Sequence, residues 1–365
     1  MLGLPPMAMA SHVPEIPAAL TFDRAPQRVY WEITRACSLA CRHCRAEASP
    51  RPDPGELTNA QGHALLDRLA AFGDPKPKVI LTGGDPLERE DLFDLISYAQ
   101  SLGLGVSVSP SATPRLTSEV IFRLANAGVE AISLSIDGAT AARHDALRGV
   151  PGCFERTLVA ARAAANARLP VQINTLACAE TLDDLAAVYA LATELRVARW
   201  SVFFLVTVGR GTVLQQLDVQ TVDRLLGWLA DRPRDRLPVV TTTEAPHFRR
   251  VQLQRRRLPQ VQSPRAGFGV RDGNGVMFIS NTGDVSPSGF LPLTGGNVRT
   301  DDPVAIYRSS ELFTSLRDAT GFGGRCGACA FHAICGGSRA RAWTATGDPL
   351  GEDPLCEYQS GASSG

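Results

Sequence analysis

No apolar run in this 365-residue chain approaches the length of a membrane span. The longest candidate, Trp200 to Val208, reads as a buried strand. The start, MLGLPPMAMASHVPEIP, lacks a charged region followed by an apolar stretch, so it is not a secretory signal. Rich in Pro and Ala, residues 1–27 read as a flexible N-terminus. These absences predict a cytoplasmic protein with no membrane partner. Charge of either sign is also missing in excess: 37 Lys and Arg balance 37 Asp and Glu, which argues against nucleic acid as a partner. The one basic run, Arg249-Arg250 with Arg255-Arg256-Arg257, reads as the solvated face of a helix. There is no internal repeat and no low-complexity tract.

Cysteine is what the chain does have. Nine cysteines in a chain read as cytosolic argue for metal rather than disulfides. Three sit at 37, 41 and 44, and four at 326, 329, 335 and 356. Cys153 and Cys178 stand alone in the sequence. The apolar fraction of 44% is ordinary for a globular protein, and the length suits a large barrel plus an appendage, or two domains.

From about Arg28 the chain alternates β-rich runs with apolar stretches at helical spacing. Candidate strands are Val29–Thr34, Lys78–Leu81, Gly105–Val108, Ala131–Ile136, Val171–Leu176 and Trp200–Val206. Stretches such as Asn59–Ala71 and Leu182–Leu195 carry the helical period. This rhythm implies a parallel sheet with right-handed crossovers. Six units predict an α/β fold, a partial (β/α)6 TIM-like barrel, with a C-terminal extension that carries the second cysteine set. The divisions are 28–231 for the barrel, 232–274 for a linker and helical connection, and 275–365 for the extension. A β-hairpin is predicted at Val276–Ser280 and Asp284–Ser286 around Thr282-Gly283.

In such a barrel, functional groups gather at the C-terminal ends of the strands. The unusual segments fall there. Cys37-x3-Cys41-x2-Cys44 follows the first strand, Gly83-Gly84-Asp85-Pro86 the second and Ser109-Pro110-Ser111 the third. Asp137-Gly138 follows the fourth strand, and Gly209-Arg210-Gly211 the sixth. Three cysteines could join His43 or a distant residue around zinc. A [4Fe–4S] cluster, by contrast, has four irons that each need a ligand, and three thiolates leave one corner open to a small molecule.

The C-x3-C-x2-C motif after a first barrel strand, with an aromatic residue just before the last Cys, resembles the radical S-adenosylmethionine (SAM) enzymes. The resemblance implies that SAM chelates the fourth iron through its amino and carboxylate groups. Reductive cleavage then gives methionine and a 5′-deoxyadenosyl radical that abstracts hydrogen from substrate. It assigns Cys37, Cys41 and Cys44 to the cluster, and places His43 near the adenine. Gly83-Gly84-Asp85-Pro86 resembles the family's GGEP, whose glycines admit the methionine amino group. Ser109 and Ser111 take the place of a segment near the ribose. Ser135-Ile136-Asp137-Gly138 resembles SLDG, Arg148-Gly149 the RG that follows, and Gly209-Arg210-Gly211 a GRG near the adenine.

Cys326-x2-Cys329-x5-Cys335, then Cys356, can close a second cluster or a tetrahedral zinc. The order resembles the later half of the auxiliary-cluster domain called SPASM. Ser288 and Arg339 stand where the full pattern carries two further cysteines, so the resemblance implies two [4Fe–4S] clusters in total. The closed one suits electron transfer. The tail CGGSRARAWTATGDPLGEDPLC and the segment Thr243 to Arg250 resemble radical SAM enzymes of heme-type tetrapyrrole pathways, which implies oxidative tailoring or decarboxylation of a small-molecule substrate. His247 and Arg249 could meet carboxylates at the mouth, though a helix surface is the preferred reading. The alternative is a maturase of a ribosomally made peptide. Fewer than 30 residues before the first strand leave no room for a peptide-binding module, and Cys178 as a hydrogen donor is less expected than Cys178 as a buried thiol. An iron–sulfur electron carrier is the non-enzyme alternative. An electron donor such as flavodoxin or ferredoxin completes the expected partners.

Overall fold

The computed structural model describes residues 22–233, 236–256 and 269–358. Most of the segment read as a flexible N-terminus therefore lies outside the described residues, as does Arg257 of the basic run. Among the described residues no helix is long and apolar enough to cross a membrane.

The six predicted strands form close to the expected bounds: β1 Arg28–Glu32, β2 Lys78–Thr82, β3 Val106–Val108, β4 Ala131–Ser135, β5 Val171–Ala177 and β6 Arg199–Phe204. Each pairs in parallel with the next. The predicted hairpin is β8 Val276–Ile279 and β9 Asp284–Ser286, joined antiparallel. Two elements differ from expectation. Within 232–274, read as linker and helix, lies a further strand, β7 Val239–Thr243, parallel to β6. The hairpin belongs to the same sheet, because β8 lies parallel against the free edge of β1. With β10 Gly296–Asn297 the order becomes β10-β9-β8-β1-β2-β3-β4-β5-β6-β7.

Strand side chains alternate between two environments. Val29 and Trp31 of β1, Ile132 and Leu134 of β4, and Trp200 and Val202 of β6 are buried in the main core, where helical leucines such as Leu65, Leu66 and Leu69 also lie. Ser133 and Ser135 take the other face and stay half-buried. Polar caps start the helices: Thr58 and Gln61 form a reciprocal capping box before Asn59–Ala70, Thr140 caps Ala141–Arg148, and Asp218 caps Val219–Ala230. Each cap contributes about 1 kcal/mol.

The sheet curls until distant strands meet. Arg210, after β6, donates its backbone N–H to the carbonyl of Cys44, after β1, at 3.0 Å. The ring of Phe203 in β6 stands 6.5 Å from that of Phe290, beyond β9. Loops five strands apart in the sheet can touch only if the sheet is a partial barrel, and this closure gathers the cysteine loop, the β2 turn and the β6 turn at one rim.

Candidate active site and cysteine centres

The cysteine loop is rooted by hydrogen bonds made before it starts. Thr34 Oγ1 and the Arg35 backbone N–H both donate to Glu56 Oε1 at 2.8 Å. Across from them, the Gly84 N–H donates to the Thr34 carbonyl at 2.8 Å and the Asp85 N–H to the Ala36 carbonyl at 2.7 Å. A Cβ on Gly83 would stand 2.3 Å from the Thr34 oxygen, and one on Gly84 2.4 Å from the Ala36 oxygen. The family resemblance gives these glycines the task of admitting a ligand. In the structure the group a Cβ would strike is the root of the cysteine loop.

Asp85 is fully buried, with Pro86 opening the short 3-10 turn that follows. Its carboxylate accepts hydrogen bonds from Thr113 Oγ1 at 2.7 Å, Leu87 N at 3.1 Å and Ser111 N at 3.2 Å. Burial pushes its pKa up against those bonds, which favour the charged form. Asp85 thus ties the β2 turn to the β3 loop. Ser111 Oγ in turn donates to the Gly84 carbonyl at 2.7 Å and lies 3.9 Å from Cys37 Sγ. Ser109 is half-buried and held by its backbone to Leu81, and Ser135 is half-buried in β4. No side-chain bond joins either serine to the cysteine loop.

Each of the three loop sulfurs faces a donor. Leu39 N–H points at Cys37 Sγ (3.4 Å), Ala48 N–H at Cys44 Sγ (3.5 Å) and Arg148 Nη1 at Cys41 Sγ (3.7 Å). A neutral thiol is a weak acceptor, so donors at every sulfur suit thiolates. Burial pushes the Cys37 thiol up to about 11, and a bound cation would favour its thiolate. Cys153, isolated in sequence, packs in one small apolar group with Cys37, Leu39 and Cys41. Spacing gave no signal of this, because the contact arises where the helix Cys153–Asn166 begins against the loop.

Arg148 also pairs with Asp137, whose second oxygen accepts from Leu176 N at 2.7 Å. Burial alone would raise the Asp137 pKa, but Arg148 and the nearby histidines outweigh it and the net shift is down. The Asp137 N–H donates to His144 Nδ1 at 3.0 Å, a partner the motifs did not announce. His43 is pushed down to about 4, first by burial and then by Arg148, and is neutral at pH 7. Arg210 clasps the cysteine loop through Cys41 O at 3.0 Å and Ala48 O at 3.1 Å. Among the described residues four buried polar atoms here have no partner: His43 Nδ1, His144 Nε2, Arg148 Nε and Arg210 Nη2. Unsatisfied buried donors are costly, and a polar ligand would relieve them.

At the other end of the chain, Cys326, Cys329, Cys335 and Cys356 line one small cavity, together with Arg250, Arg325, His332 and Asp353. Backbone N–H groups point at three of the sulfurs: Phe331 at Cys329 (3.3 Å), Gly337 at Cys335 (3.4 Å) and Asp353 at Cys326 (3.4 Å). Burial pushes Cys335 up to about 12 and raises Cys356. Among the described residues no three His, Cys, Asp or Glu side chains are arranged around a single metal ion.

Two sequence expectations fail nearby. Arg249 and Arg250 are not a solvated helix face: Arg249 Nη1 donates to the Val270 carbonyl at 2.5 Å, while Arg250 is 3% exposed. His247 is not a surface residue either, being 1% exposed with Asp353 at 3.8 Å. The cause in both cases is that the helix His247–Arg256 packs under the C-terminal extension. Cys178 is a buried thiol among Leu147, Leu176, Leu205 and Leu214.

The Radical SAM superfamily profile matches residues 31–192. An AdoMet-dependent heme synthase from Methanosarcina barkeri is 37% identical over 94% of this chain and 99% of its own. One from Oleidesulfovibrio alaskensis is 39% identical over 91% of this chain and 87% of its own. Streptococcus suis SuiB, solved with S-adenosylmethionine bound, shares the fold with a TM-score of 0.71 and 17% identity, over 92% of this chain and 78% of that one.

Proposed function

We propose a substrate class and a division of labour from one premise: the chain belongs to the radical SAM superfamily. It is an enzyme, and a [4Fe–4S] cluster and SAM come with the family. When bound, these supply the 5′-deoxyadenosyl radical that abstracts hydrogen.

Cys37, Cys41 and Cys44 would hold the [4Fe–4S] cluster, one thiolate short of its four irons, which would leave a place for SAM. Leu39, Ala48 and Arg148 stabilise the thiolates. Asp85 fixes the β2 turn and Ser111 beside Cys37, and the β2 turn and Arg210 clasp the loop from opposite sides. Neutral His43, Arg148 Nε and Arg210 Nη2 offer polar contacts to the nucleoside side of SAM. Ser109, Ser135 and Asp137 complete the rim.

The substrate we propose is a heme-type tetrapyrrole with acidic side chains. The observation that carries this is identity to an AdoMet-dependent heme synthase along nearly the whole chain. Oxidative loss of a propionate carboxylate removes one hydrogen atom, one carbon dioxide and one electron, leaving a vinyl group. The electron needs an outlet. Cys326, Cys329, Cys335 and Cys356, lining one cavity, would hold a second [4Fe–4S] cluster that supplies it. A flavodoxin or ferredoxin would reduce the first cluster.

The test is anaerobic turnover with dithionite, SAM and iron coproporphyrin III, followed by mass spectrometry. We expect 5′-deoxyadenosine together with stepwise loss of porphyrin carboxylates. Deoxyadenosine without any change in the porphyrin would overturn the substrate assignment and favour peptide maturation, while a fully loaded cluster that never cleaves SAM would overturn the enzyme reading.

A further inference from the structure

Arg339 stands where the fuller cysteine pattern has another ligand, and the structure gives it a different relation to the second cysteine set. Its side chain is fully buried, yet no carboxylate pairs with its guanidinium among the described residues. The guanidinium donates to the carbonyls of Gly351 (2.6 Å), Pro349 (3.1 Å) and Gly337 (3.3 Å), and its Nη2 to Cys326 Sγ at 3.5 Å. The ring of Phe322 packs against it, 4.5 Å from centroid to guanidinium carbon. Three neighbouring arginines differ, while Arg271, also buried and against Phe322, likewise meets only backbone carbonyls among the described residues. Arg325 pairs with Glu352 at 2.9 Å, Arg341 with Asp353 at 3.0 Å and Arg250 with Asp223 at 3.7 Å.

A buried guanidinium cannot shed its proton, and a buried charge without a counter-charge is expensive. Carbonyl dipoles solvate it but do not neutralise it. Among the described residues, the one group its guanidinium contacts that can carry negative charge is the Cys326 sulfur, since the Asp272 carboxylate meets only the Arg339 backbone N–H, at 3.1 Å. Access to that sulfur is built into the backbone: Gly337 has φ +66°, and a Cβ there would stand 2.6 Å from Arg339 Nη2 and 3.1 Å from Cys326 Sγ. Only glycine combines that dihedral with room for the contact. Gly337 also presents its own N–H to Cys335 Sγ, so one residue serves two of the four sulfurs.

We propose that Arg339 is the built-in counter-ion of the second cluster and raises its reduction potential through the contact with Cys326. This rests on the reading that the four C-terminal cysteines hold a [4Fe–4S] cluster. A cluster ligated by four thiolates carries net negative charge, and reduction adds more. A fixed positive charge and a hydrogen bond at one sulfur therefore favour the reduced state. An electron outlet needs that bias. Arg339 is a positioning residue: it meets the reaction only through Cys326.

The measurement is an EPR-monitored redox titration of the iron-loaded full chain with SAM present. It is repeated in a Cys41→Ala background, which removes the barrel-mouth signal. With Arg339→Gln the equilibrium should move at least about tenfold toward the oxidised cluster, a fall of about 59 mV for one electron. Arg339→Lys, keeping charge without the fork, should fall between, and 5′-deoxyadenosine formation should not change. An Arg339→Gln protein with full iron and the native midpoint would overturn the proposal. If Arg339→Gln cannot hold its iron, Arg339→Lys decides. A retained cluster with a midpoint within about tenfold of native supports the charge, whereas loss of the cluster, or a larger fall, leaves Arg339 a mere staple of the loop. A native chain that binds about four irons rather than about eight would instead remove the second cluster itself, and that is read before any variant is made.

Discussion

The two cysteine centres use the same residue in opposite ways. At the barrel rim three sulfurs sit on one short loop, each facing a donor, beside buried polar atoms that have no protein partner. In the C-terminal extension four sulfurs line one cavity that Arg250, Arg325 and Asp353 also line. The first centre offers three thiols beside buried polar atoms with unmet hydrogen bonds. In the second the four sulfurs line one cavity, and around it lie both positive charge, from Arg250 and Arg325, and the Asp353 carboxylate. The difference teaches that the same residue type can be set beside unmet polar atoms that suit a ligand, or around a cavity already lined by its own sulfurs and charged groups.

The sharpest way to break this comparison is to remove sulfurs from each side. Replacing any one of Cys37, Cys41 or Cys44 by Ala should abolish SAM cleavage and leave roughly half the iron, measured by 5′-deoxyadenosine release and iron counting. Cys335→Ala should also leave roughly half the iron, yet retain uncoupled SAM cleavage without substrate oxidation. If Cys335→Ala stops cleavage while the first cluster stays intact, the two centres do not divide the work as described.

A smaller effect is expected at the joint between turn and loop. Gly84→Ala forces a Cβ against the Ala36 oxygen. It should cost about 1–3 kcal/mol of stability and weaken SAM binding, read by thermal unfolding and by titration with SAM. The smallest effect is expected at Cys153. Its thiol packs beside Cys37 and Cys41, which makes it the protein group to suspect of capping the open iron. If the corner is open to SAM, Cys153→Ala should change stability by only about 1 kcal/mol and leave the cluster's EPR signal with SAM unaltered. A changed signal would mean that the rim, like the extension, is closed by four thiols.

Six strands were legible because their β-branched and aromatic runs are local, and the observed strand starts lie within a residue or so of the expected ones. β7 was not. Its sequence VVTTT is half-buried throughout and follows Pro238, so it carries no core-facing alternation to announce it. The cysteine sets were legible from spacing, but the burial of Arg249, Arg250 and His247 was not. A basic helix looks the same whether water or another domain covers it. The turn GGDP was legible as a motif, although the reason for its glycines was visible only once the Thr34–Ala36 backbone was seen pressed against it.

By itself the sequence determined the number of thiols at each centre and the succession of strands and helices, since both follow from residues close together along the chain. Tertiary structure alone decided what surrounds each sulfur. Arg148 reaches Cys41 across 107 residues, and Cys153 joins the same loop from further still. The physical reason is that charge and hydrogen bonding act through space and depend on burial, and neither distance nor burial is written in residue order.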